Sequence, residues 1–183
     1  MTNDLIEFKS IKENKDLVAA TTYEAIMNLS GTYTVEDFLV AAINPDYSGG
    51  VDFSNKYNID PKIGINCLIA EAKIGTESKL LAMLVPVGYR YNMSKVVRPL
   101  LQAKSVSVAN LEEVLEKTKM EYGSINPIGL PKEWTIYIDP LVLENEKSVI
   151  GSGLKKSKLL IHSKSLLELP NAVVLENLAK PFE

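Results

Sequence analysis

The sequence predicts an α+β domain, a mixed α/β arrangement in which helices flank a mixed β-sheet. Segments typical of strands and of helices follow one another in an irregular order, unlike the strict alternation of doubly wound folds. The chain has 183 residues, of which 46% are hydrophobic and 23% charged, ordinary values for a globular domain that buries a core. This length suits one such domain with a terminal extension.

The N-terminal part of the chain is predicted to be a helical extension. Residues 16–29, DLVAATTYEAIMNL, carry an acid near their start and apolar residues at helical spacing. Residues 34–43, TVEDFLVAAI, fit either a strand or a helix. The turn cluster NPDYSGG at 44–50 marks a boundary. We therefore expect the extension at residues 1–45 and the main domain at residues 46–183.

The main domain is predicted to open with a short helix in VDFSNKYNI and a β-hairpin. The runs GINCLIAEAK and SKLLAMLVPV are rich in β-forming residues, and the segment IGTES separates them. NMSKVVRPLL then begins a helix with Ser94 as its candidate cap, and KSVSVA alternates as a strand does. In NLEEVLEKTK, Asn110 is the expected N-cap, and Glu112 and Glu113 lie where the helix dipole favours acids.

The last third of the chain is predicted to be mainly strands. They are expected in EWTIYID, KSVIGSG and SKLLIH, with a short helix in SKSLLEL and a final strand or edge in NAVVLE. These segments complete the mixed order on which the predicted fold class depends.

Composition narrows the classes of function. The net charge of −3 gives no global attraction for nucleic acid, so such a partner would need a local basic patch. One His and one Cys give no basis for a transition-metal site, and no metal or other cofactor is expected. The sequence has no apolar run long enough to span a bilayer and no signal-peptide core, and its single Cys67 forms no internal disulfide. We therefore expect a cytoplasmic protein without a membrane partner.

The stretch YGSINPIGLPKEWTIYID places a Gly- and Pro-punctuated loop before a strand that ends in aspartate. Gly123 and Gly129 allow backbone torsions that other residues avoid, whereas Pro127 and Pro131 stiffen the loop and remove two donors. The N–H groups of residues 124–126 are then expected to be free to hold an anion or a carbonyl oxygen, as backbone nests do. The same composition also fits a plain helix-to-strand connector.

A second glycine motif lies in IGSGLKKSKL. Gly151 and Gly153 either allow close approach of the backbone or make a hairpin turn. Lys155, Lys156 and Lys158 beside them form the densest basic patch in the chain. This patch is either a solvated turn that discourages edge pairing or a contact for phosphate, which needs a cation near free backbone donors.

The two glycine loops, in this order and at this separation, resemble the YbaK/EbsC family, which includes the editing domain inserted in bacterial prolyl-tRNA synthetases. Gly123 and Pro127 match the family's GxxxP loop, and Asp139 matches the acid that commonly ends the following strand. The segment GSG matches the second glycine loop. The likeness covers roughly residues 50–178.

The resemblance implies a mixed, partly barrel-like sheet and a trans-editing hydrolase that deacylates mischarged aminoacyl-tRNA, with proline tRNA as the first candidate. In the family the GxxxP loop holds the aminoacyl-adenosine end, water attacks the ester carbonyl, and backbone donors stabilise the oxyanion. The ribose hydroxyl of the substrate assists, and no metal is required. The implied partners are the 3′ acceptor end of aminoacyl-tRNA and an aminoacyl-tRNA synthetase.

The resemblance also suggests roles for particular residues. Catalysis is expected at Gly123 and Asn66, and substrate binding at Ser124, Ile125, Asn126, Pro127, Gly129, Asp139, Gly151, Ser152, Gly153, Lys95 and Lys158.

The sequence departs from the family pattern at the first core strand. Members usually carry a lysine there, in a pattern like K-[ST]-L, whereas INCLIAE places Asn66 at that position. Asparagine donates hydrogen bonds but has no charge, and the loss of a charge-assisted bond to phosphate costs about 1.5–3 kcal/mol. Lys95 is the nearest candidate in sequence for a replacement cation. Lys158, which aligns with an acid found in some members, is another.

Two functions stay open on the sequence. The first is the editing hydrolase, and the second is a non-catalytic module of the same fold that binds aminoacyl-tRNA, a nucleotide or an amino-acid derivative. Asn66 is the feature that separates them. His162 is a candidate general base by its residue type, although a histidine at a strand end is more often structural. Cys67 is interpreted as a small buried hydrophobe.

Overall fold

The computed structural model of the protein describes residues 5–182, so residues 1–4 of the predicted extension and Glu183 of the predicted domain lie outside it. The strands are β1 (Lys9–Ser10), β2 (Leu39–Ala42), β3 (Ile65–Ile74), β4 (Glu77–Pro86), β5 (Tyr89–Tyr91), β6 (Ser105–Val108), β7 (Thr135–Ile138), β8 (Lys147–Gly151), β9 (Ser157–His162), β10 (Ala172–Val174) and β11 (Ala179–Pro181). The helices are α1 (Ala20–Met27), α2 (Gly50–Tyr57), α3 (Arg98–Leu100) and α4 (Leu111–Thr118), and a π-helical turn at Met93–Val97 leads into α3. Turns of 3-10 helix lie at Lys15–Leu17, Val35–Asp37, Pro45–Tyr47, Pro61–Ile63, Pro140–Leu143 and Ser163–Glu168.

The strands of the described range form two main sheets and a small ribbon. One sheet is antiparallel with the order β1-β2-β9-β8, and the other has the order β10-β7-β4-β3-β6. In the second sheet β7 runs parallel to both β4 and β10, and the remaining pairs are antiparallel. The ribbon pairs β5 with β11. The predicted mixed α+β fold is therefore confirmed, and within residues 5–182 the sheets stay open and form no closed barrel.

The long β3–β4 hairpin is the framework of the larger sheet. Its register runs from Ile65 opposite Pro86 to Ile74 opposite Glu77, as the two β-prone sequence runs predicted. One face of β3 packs into the main core through Ile65 and Ile69, and the other face packs into a second core through Ala70. Because both faces are covered, the strand is apolar almost throughout instead of alternating with polar residues.

The described part of the predicted extension packs directly on the rest of the chain. Strand β2 pairs with β9, and Leu39 lies opposite Leu160. Ile11, Ile26 and Phe38 are buried in the same core as the strands of both main sheets. This segment thus contains strands as well as α1, and residues 34–43, which fit either structure by sequence, form a 3-10 turn followed by β2. The boundary near residue 45 stays a prediction.

Of the two helix caps predicted from the sequence, the structure has one and not the other. The Oδ1 of Asn110 accepts a hydrogen bond from the backbone N–H of Glu113 at 3.0 Å, so the predicted N-cap of α4 is confirmed. The expected cap at Ser94 is wrong, since Ser94 lies inside the π-helical turn and Asn92 holds the cap position. Asn92 is fixed there by the ribbon, because its backbone N–H donates to the Leu178 carbonyl at 2.8 Å. No helix of residues 5–182 has the length and apolar character needed to cross a bilayer.

Candidate functional site

A cavity of about 370 Å³ lies where the first half of β3, the entry to α2 and the two glycine loops meet. We call residues 122–130 the first glycine loop and residues 151–156 the second glycine loop. The side chains and backbone that line the cavity belong to Ser48, Gly49, Gly50, Ile65, Asn66, Cys67, Leu68, Ile69, Tyr91, Val108, Ala109, Leu111, Val114, Tyr122, Gly123, Ile125, Gly151 and Lys158. Five of the residues predicted for the site line it: Asn66, Gly123, Ile125, Gly151 and Lys158.

The two glycine loops are joined by backbone hydrogen bonds. The N–H of Gly153 donates to the Ser124 carbonyl at 2.8 Å, and the N–H of Glu121 donates to the Gly153 carbonyl at 2.8 Å. Gly151 lies so close to Ser124 that a Cβ atom at residue 151 would overlap the Ser124 carbonyl. The contact between the loops therefore requires glycine at residue 151. The sequence allowed either close backbone approach or a hairpin turn for this glycine, and close backbone approach is what the structure has at Gly151.

The open edge of β3 supplies one wall of the cavity. Strand β6 pairs with β3 only at Ala70–Lys73, whereas residues Ile65–Ile69 of the same strand line the cavity. Among the described residues, no strand pairs with Ile65–Ile69 on the β6 side. The carbonyl of Ile69 accepts a hydrogen bond from the N–H of Ala109 just beyond β6, so the cavity adjoins the end of β6.

The backbone donors of the first glycine loop are only partly free. The N–H of Ser124 donates to the Glu121 carbonyl at 3.1 Å, and that of Asn126 lies 3.5 Å from the sulfur of Met120. The expectation that residues 124–126 all keep free donors is therefore wrong, because the loop closes a turn on itself. Within residues 5–182, the N–H groups of Gly123 and Ile125 make no hydrogen bond, and both residues line the cavity.

Lys158 is the charged side chain of this cavity. It is only 7% exposed, its Nζ donates to the Ser48 carbonyl at 2.7 Å, and its ammonium lies 5.6 Å from the centre of the Phe53 ring. Burial lowers the pKa of Lys158 from 10.5 to about 8. The lysine patch predicted from the sequence is thus divided, with Lys155 and Lys156 exposed and Lys158 buried against the cavity.

Asn66 lines the cavity together with Lys158. Its Oδ1 lies 3.0 Å from the position that a Cβ on Gly50 would occupy, so the side chain is directed at the entry to α2. Lys158 contacts the same segment through Ser48. A neutral amide and a buried ammonium therefore contact one segment of the cavity wall, whereas Lys95 is exposed and lines no part of the cavity.

Helix α1 fixes the first glycine loop from the side opposite the cavity. The buried hydroxyl of Thr22 donates to the Ile128 carbonyl and accepts from the Asn126 side-chain amide, both at 3.0 Å. The Oδ1 of Asn126 in turn accepts from the N–H of Ile128 at 2.8 Å. At Gly129, where φ is +89°, a side chain would overlap the backbone of Thr21. The second half of this loop is therefore built for packing against α1.

Several predicted binding residues lie away from the cavity. Pro127 and Gly129 line a separate space of about 630 Å³ beside α1. The carboxylate of Asp139 accepts the N–H groups of Leu141 at 3.0 Å and Ala179 at 2.6 Å, which orders the turn after β7 and holds β11. Ser124, Asn126, Ser152 and Gly153 are buried in the loops behind the cavity wall, and of these Ser124 and Ser152 direct their hydroxyls to the Leu154 carbonyl.

The Cys67 thiol and the Tyr91 hydroxyl of the cavity are neutral near pH 7. Burial raises the pKa of Cys67 to about 12, so its thiol is no nucleophile at that pH. Burial and the nearby Cys67 raise the pKa of the Tyr91 hydroxyl well above 10. His162 lies outside the cavity, stacked on Tyr33 with a ring separation of 5.4 Å and with its Nε2 3.7 Å from Asp37.

Comparison with known families finds a match over the part of the chain that holds both glycine loops. The family described as aminoacyl-tRNA editing domain matches residues 47–169, well over half of the chain. The chain belongs to the aminoacyl-tRNA editing domain family. The YbaK-like family indicated by the two glycine loops is thereby confirmed. No curated protein sequence matches this editing domain.

Solved structures share the fold of this editing domain. One is a protein whose name proposes a trans-editing enzyme for prolyl tRNA synthetase, with a TM-score of 0.70, 17% identity and coverage of 90% of this chain and 99% of that chain. Another is a hypothetical protein with a TM-score of 0.68, 20% identity and coverage of 78% and 91%. A third, from work on epitope grafting by computational design, has a TM-score of 0.72, 17% identity and coverage of 90% and 97%. At these identities the likeness shows the fold alone.

Some lining residues of the editing domain were not predicted from the sequence. The entry to α2 (Ser48–Gly50) and Tyr91 line the cavity, but neither belongs to a recognisable binding or catalytic motif. The signal for Ser48–Gly50 was the turn cluster at 44–50, which was interpreted as a boundary. Thr22 was likewise missed, because its contacts to the loop span more than a hundred residues of sequence.

The first prediction concerns the contact between the loops. Gly151→Ala is expected to destabilise the protein by about 2 kcal/mol and to lower the thermal midpoint by roughly 4–8 °C, because the new methyl group meets backbone. Gly75→Asn is the control, since no atom lies within 4 Å of a Cβ there and asparagine tolerates its φ of +61°. Differential scanning calorimetry measures both, and equal midpoints for the two variants would contradict the assigned contact.

The second prediction concerns Thr22. Thr22→Val keeps the side-chain shape but leaves the Asn126 amide and the Ile128 carbonyl without their partner, so the free energy of unfolding is expected to fall by about 2 kcal/mol. Thr22→Ser retains the hydroxyl and is expected to lose less than about 1 kcal/mol. Urea unfolding compares the variants. A serine variant that is less stable than the valine variant would show that the hydroxyl bridge is unimportant.

The third prediction follows from the lowered pKa of Lys158. Below pH 8 the ammonium is charged in both folded and unfolded chains, and the folded chain carries the full cost of its burial, up to roughly 3 kcal/mol. Lys158→Met is therefore expected to be more stable than the wild type below pH 8. The difference shrinks as pH rises from about 8 to 10.5, because the folded lysine loses its proton first.

Thermal unfolding across this pH range measures the difference. Lys156→Met is the matched control, since Lys156 is exposed, and it is expected to change stability little at any pH. A Lys158→Met protein that is less stable than the wild type at pH 7 would contradict a buried, costly ammonium.

Proposed function

We propose that this editing domain is a free-standing hydrolase that cleaves the ester of mischarged aminoacyl-tRNA, with proline tRNA as the first candidate. The observation that carries the proposal is the cavity itself. It has two free backbone donors at Gly123 and Ile125, and one buried cation at Lys158. Among the described residues that line it there is no carboxylate, so the electrostatics favour a ligand that brings negative charge or carbonyl oxygen.

In the proposed complex the acylated terminal adenosine enters at the first glycine loop. The ester carbonyl oxygen lies near the N–H groups of Gly123 and Ile125, and apolar residues such as Ile65, Ile69 and Val114 surround the acyl side chain. The name of one structural relative, which proposes a trans-editing enzyme for prolyl tRNA synthetase, supports this substrate class.

The proposed reaction adds water across the ester. A water oxygen bonds to the carbonyl carbon, and the carbonyl oxygen becomes an oxyanion stabilised by the free N–H groups. The bond to the ribose oxygen then breaks, and the products are the amino acid and a tRNA with a free hydroxyl. No carboxylate or imidazole within residues 5–182 lines the cavity to move the proton. The proposal therefore assigns that transfer to the neighbouring ribose hydroxyl of the substrate.

Lys158 takes the place of the lysine that related domains carry on the first strand. It lies on β9, across the cavity from Asn66 on β3, and its ammonium is charged at neutral pH because its pKa is about 8. A buried charge of this kind is costly for folding, and such a cost is characteristic of functional sites. Asn66 then serves as a neutral donor to phosphate or to the acyl carbonyl.

The fourth prediction tests the hydrolase. Radiolabelled mischarged tRNAs, including proline tRNA charged with amino acids other than proline, are incubated with the wild type, Lys158→Met and Lys156→Met. We expect the wild type and Lys156→Met to release the amino acid at equal rates. Lys158→Met is expected to be slower by roughly 10- to 150-fold, since a charge-assisted bond contributes about 1.5–3 kcal/mol.

Because Lys158→Met is expected to be more stable than the wild type below pH 8, a loss of its activity at that pH cannot be attributed to unfolding. If no mischarged tRNA is hydrolysed faster with the wild type than in buffer alone, the hydrolase proposal is wrong. If Lys158→Met is as active as the wild type, Lys158 has no part in the reaction.

A second candidate function is a non-catalytic module that binds aminoacyl-tRNA or a related ligand. The neutral Asn66 at the lysine position favours it. Asn66→Lys distinguishes the two, because it is expected to raise deacylation in a weakened hydrolase and to leave a pure binder inactive. We further propose a cytoplasmic location and an aminoacyl-tRNA synthetase as a second partner, which co-purification from cell extract would test.

A further inference from the structure

Two exposed tyrosines, each with a lysine over its ring, flank the mouth of the cavity. Tyr122 is 61% exposed, and the Nζ of Lys155 lies 5.5 Å from its ring centre. Tyr47 is 37% exposed, and the Nζ of Lys56 lies 5.2 Å from its ring centre. Both rings are therefore accessible to a ligand that reaches the cavity.

Both pairs adjoin residues that line the cavity. Tyr122 directly precedes Gly123, and Tyr47 directly precedes Ser48, and both of these neighbours line the cavity. A Cβ on Gly123 would lie 3.6 Å from the Ser48 hydroxyl and 4.0 Å from the Lys155 side chain. The two tyrosines therefore stand next to the point where the first glycine loop approaches the entry to α2.

Backbone contacts hold the Tyr122 side of the mouth in place. The N–H of Lys155 donates to the Glu121 carboxylate at 2.6 Å, and the N–H of Glu121 donates to Gly153 at 2.8 Å. The segment before Gly123 is thereby attached to the second glycine loop. A ring attached to a fixed backbone offers a planar surface at small entropic cost, as base-stacking platforms do.

We propose that this mouth is a binding surface for single-stranded RNA, on which the unpaired nucleotides next to the acylated adenosine stack. Tyr122 and Tyr47 take the bases, and Lys155 and Lys56 contact the phosphates that join them. Stacked aromatic rings interleaved with cations bind single strands with little dependence on base identity. The protein has a net charge of −3, so a local patch of this kind is the means by which it can hold RNA.

The inference rests on the proposed function for the identity of the RNA, a tRNA 3′ end. It makes a separate claim about which residues bind the strand at the mouth of the cavity. Tests with an uncharged RNA distinguish the two, because such an RNA has no ester to cleave.

The experiment measures fluorescence anisotropy of a short labelled single-stranded RNA ending in CCA with the full-length protein. We expect Tyr122→Ala to weaken binding at least fivefold and Tyr122→Phe to bind as the wild type does, since stacking needs the ring and not the hydroxyl. Lys155→Gln is expected to weaken binding and to reduce its dependence on salt. Tyr47→Ala is expected to weaken binding in the same direction as Tyr122→Ala.

The matched control is Phe182→Ala. Phe182 is 58% exposed and has Arg90 over its ring at 4.6 Å, yet it lines no part of the cavity. This variant is expected to bind RNA as the wild type does. The proposal is overturned if Tyr122→Ala binds the RNA as tightly as the wild type does. It is also overturned if Phe182→Ala weakens binding as much as Tyr122→Ala does, or if the wild type binds double-stranded RNA as tightly as single-stranded RNA.

The outcomes for the two proposals are independent. If RNA binding depends on Tyr122 but no deacylation is found, the proposed RNA-binding surface is supported and the proposed hydrolase activity is wrong. If Tyr122→Ala and the wild type deacylate tRNA with the same KM, the hydrolase proposal is supported and the proposed RNA-binding surface is wrong.

Discussion

The contact between the Gly151 backbone and the Ser124 carbonyl is the constraint on which the site depends. It brings two loops from different parts of the chain within hydrogen-bond distance, and the bond from Gly153 to Ser124 completes the junction. Gly123 and Ile125, whose N–H groups make no hydrogen bond within residues 5–182, line the same cavity as Lys158. The cation and the neutral donors are thus held in place by backbone contacts. Because this backbone is already ordered, ligand binding costs it little conformational entropy.

The N-terminal segment supports this junction from behind. The N–H of Ala19 donates to the Ser152 carbonyl at 3.0 Å, and a side chain on Gly153 would overlap Ala19. A few residues later, Thr22 bridges Asn126 and Ile128. The family match begins at residue 47, so this brace comes from a part of the chain outside it. The segment that the sequence presented as an extension is therefore part of the construction of the site.

Sequence reasoning was strongest where local chemistry decides the structure. The β3–β4 hairpin and the Asn110 cap follow from β-forming residues, turn residues and side-chain length, all within a few residues. It failed where contacts are remote. Nothing near Pro127 indicates that α1 covers that half of the loop, and nothing near Lys158 distinguishes it from its exposed neighbours Lys155 and Lys156.

The pairing of β2 with β9 has a consequence for the order in which this protein matures on the ribosome. Strand β2 is synthesised well before β9, the strand that it pairs with and that carries Lys158. Pairing between segments so distant in sequence is slow and waits for the later segment. Until β9 has been synthesised, the nascent chain lacks both the partner strand of β2 and Lys158, so its cavity is incomplete.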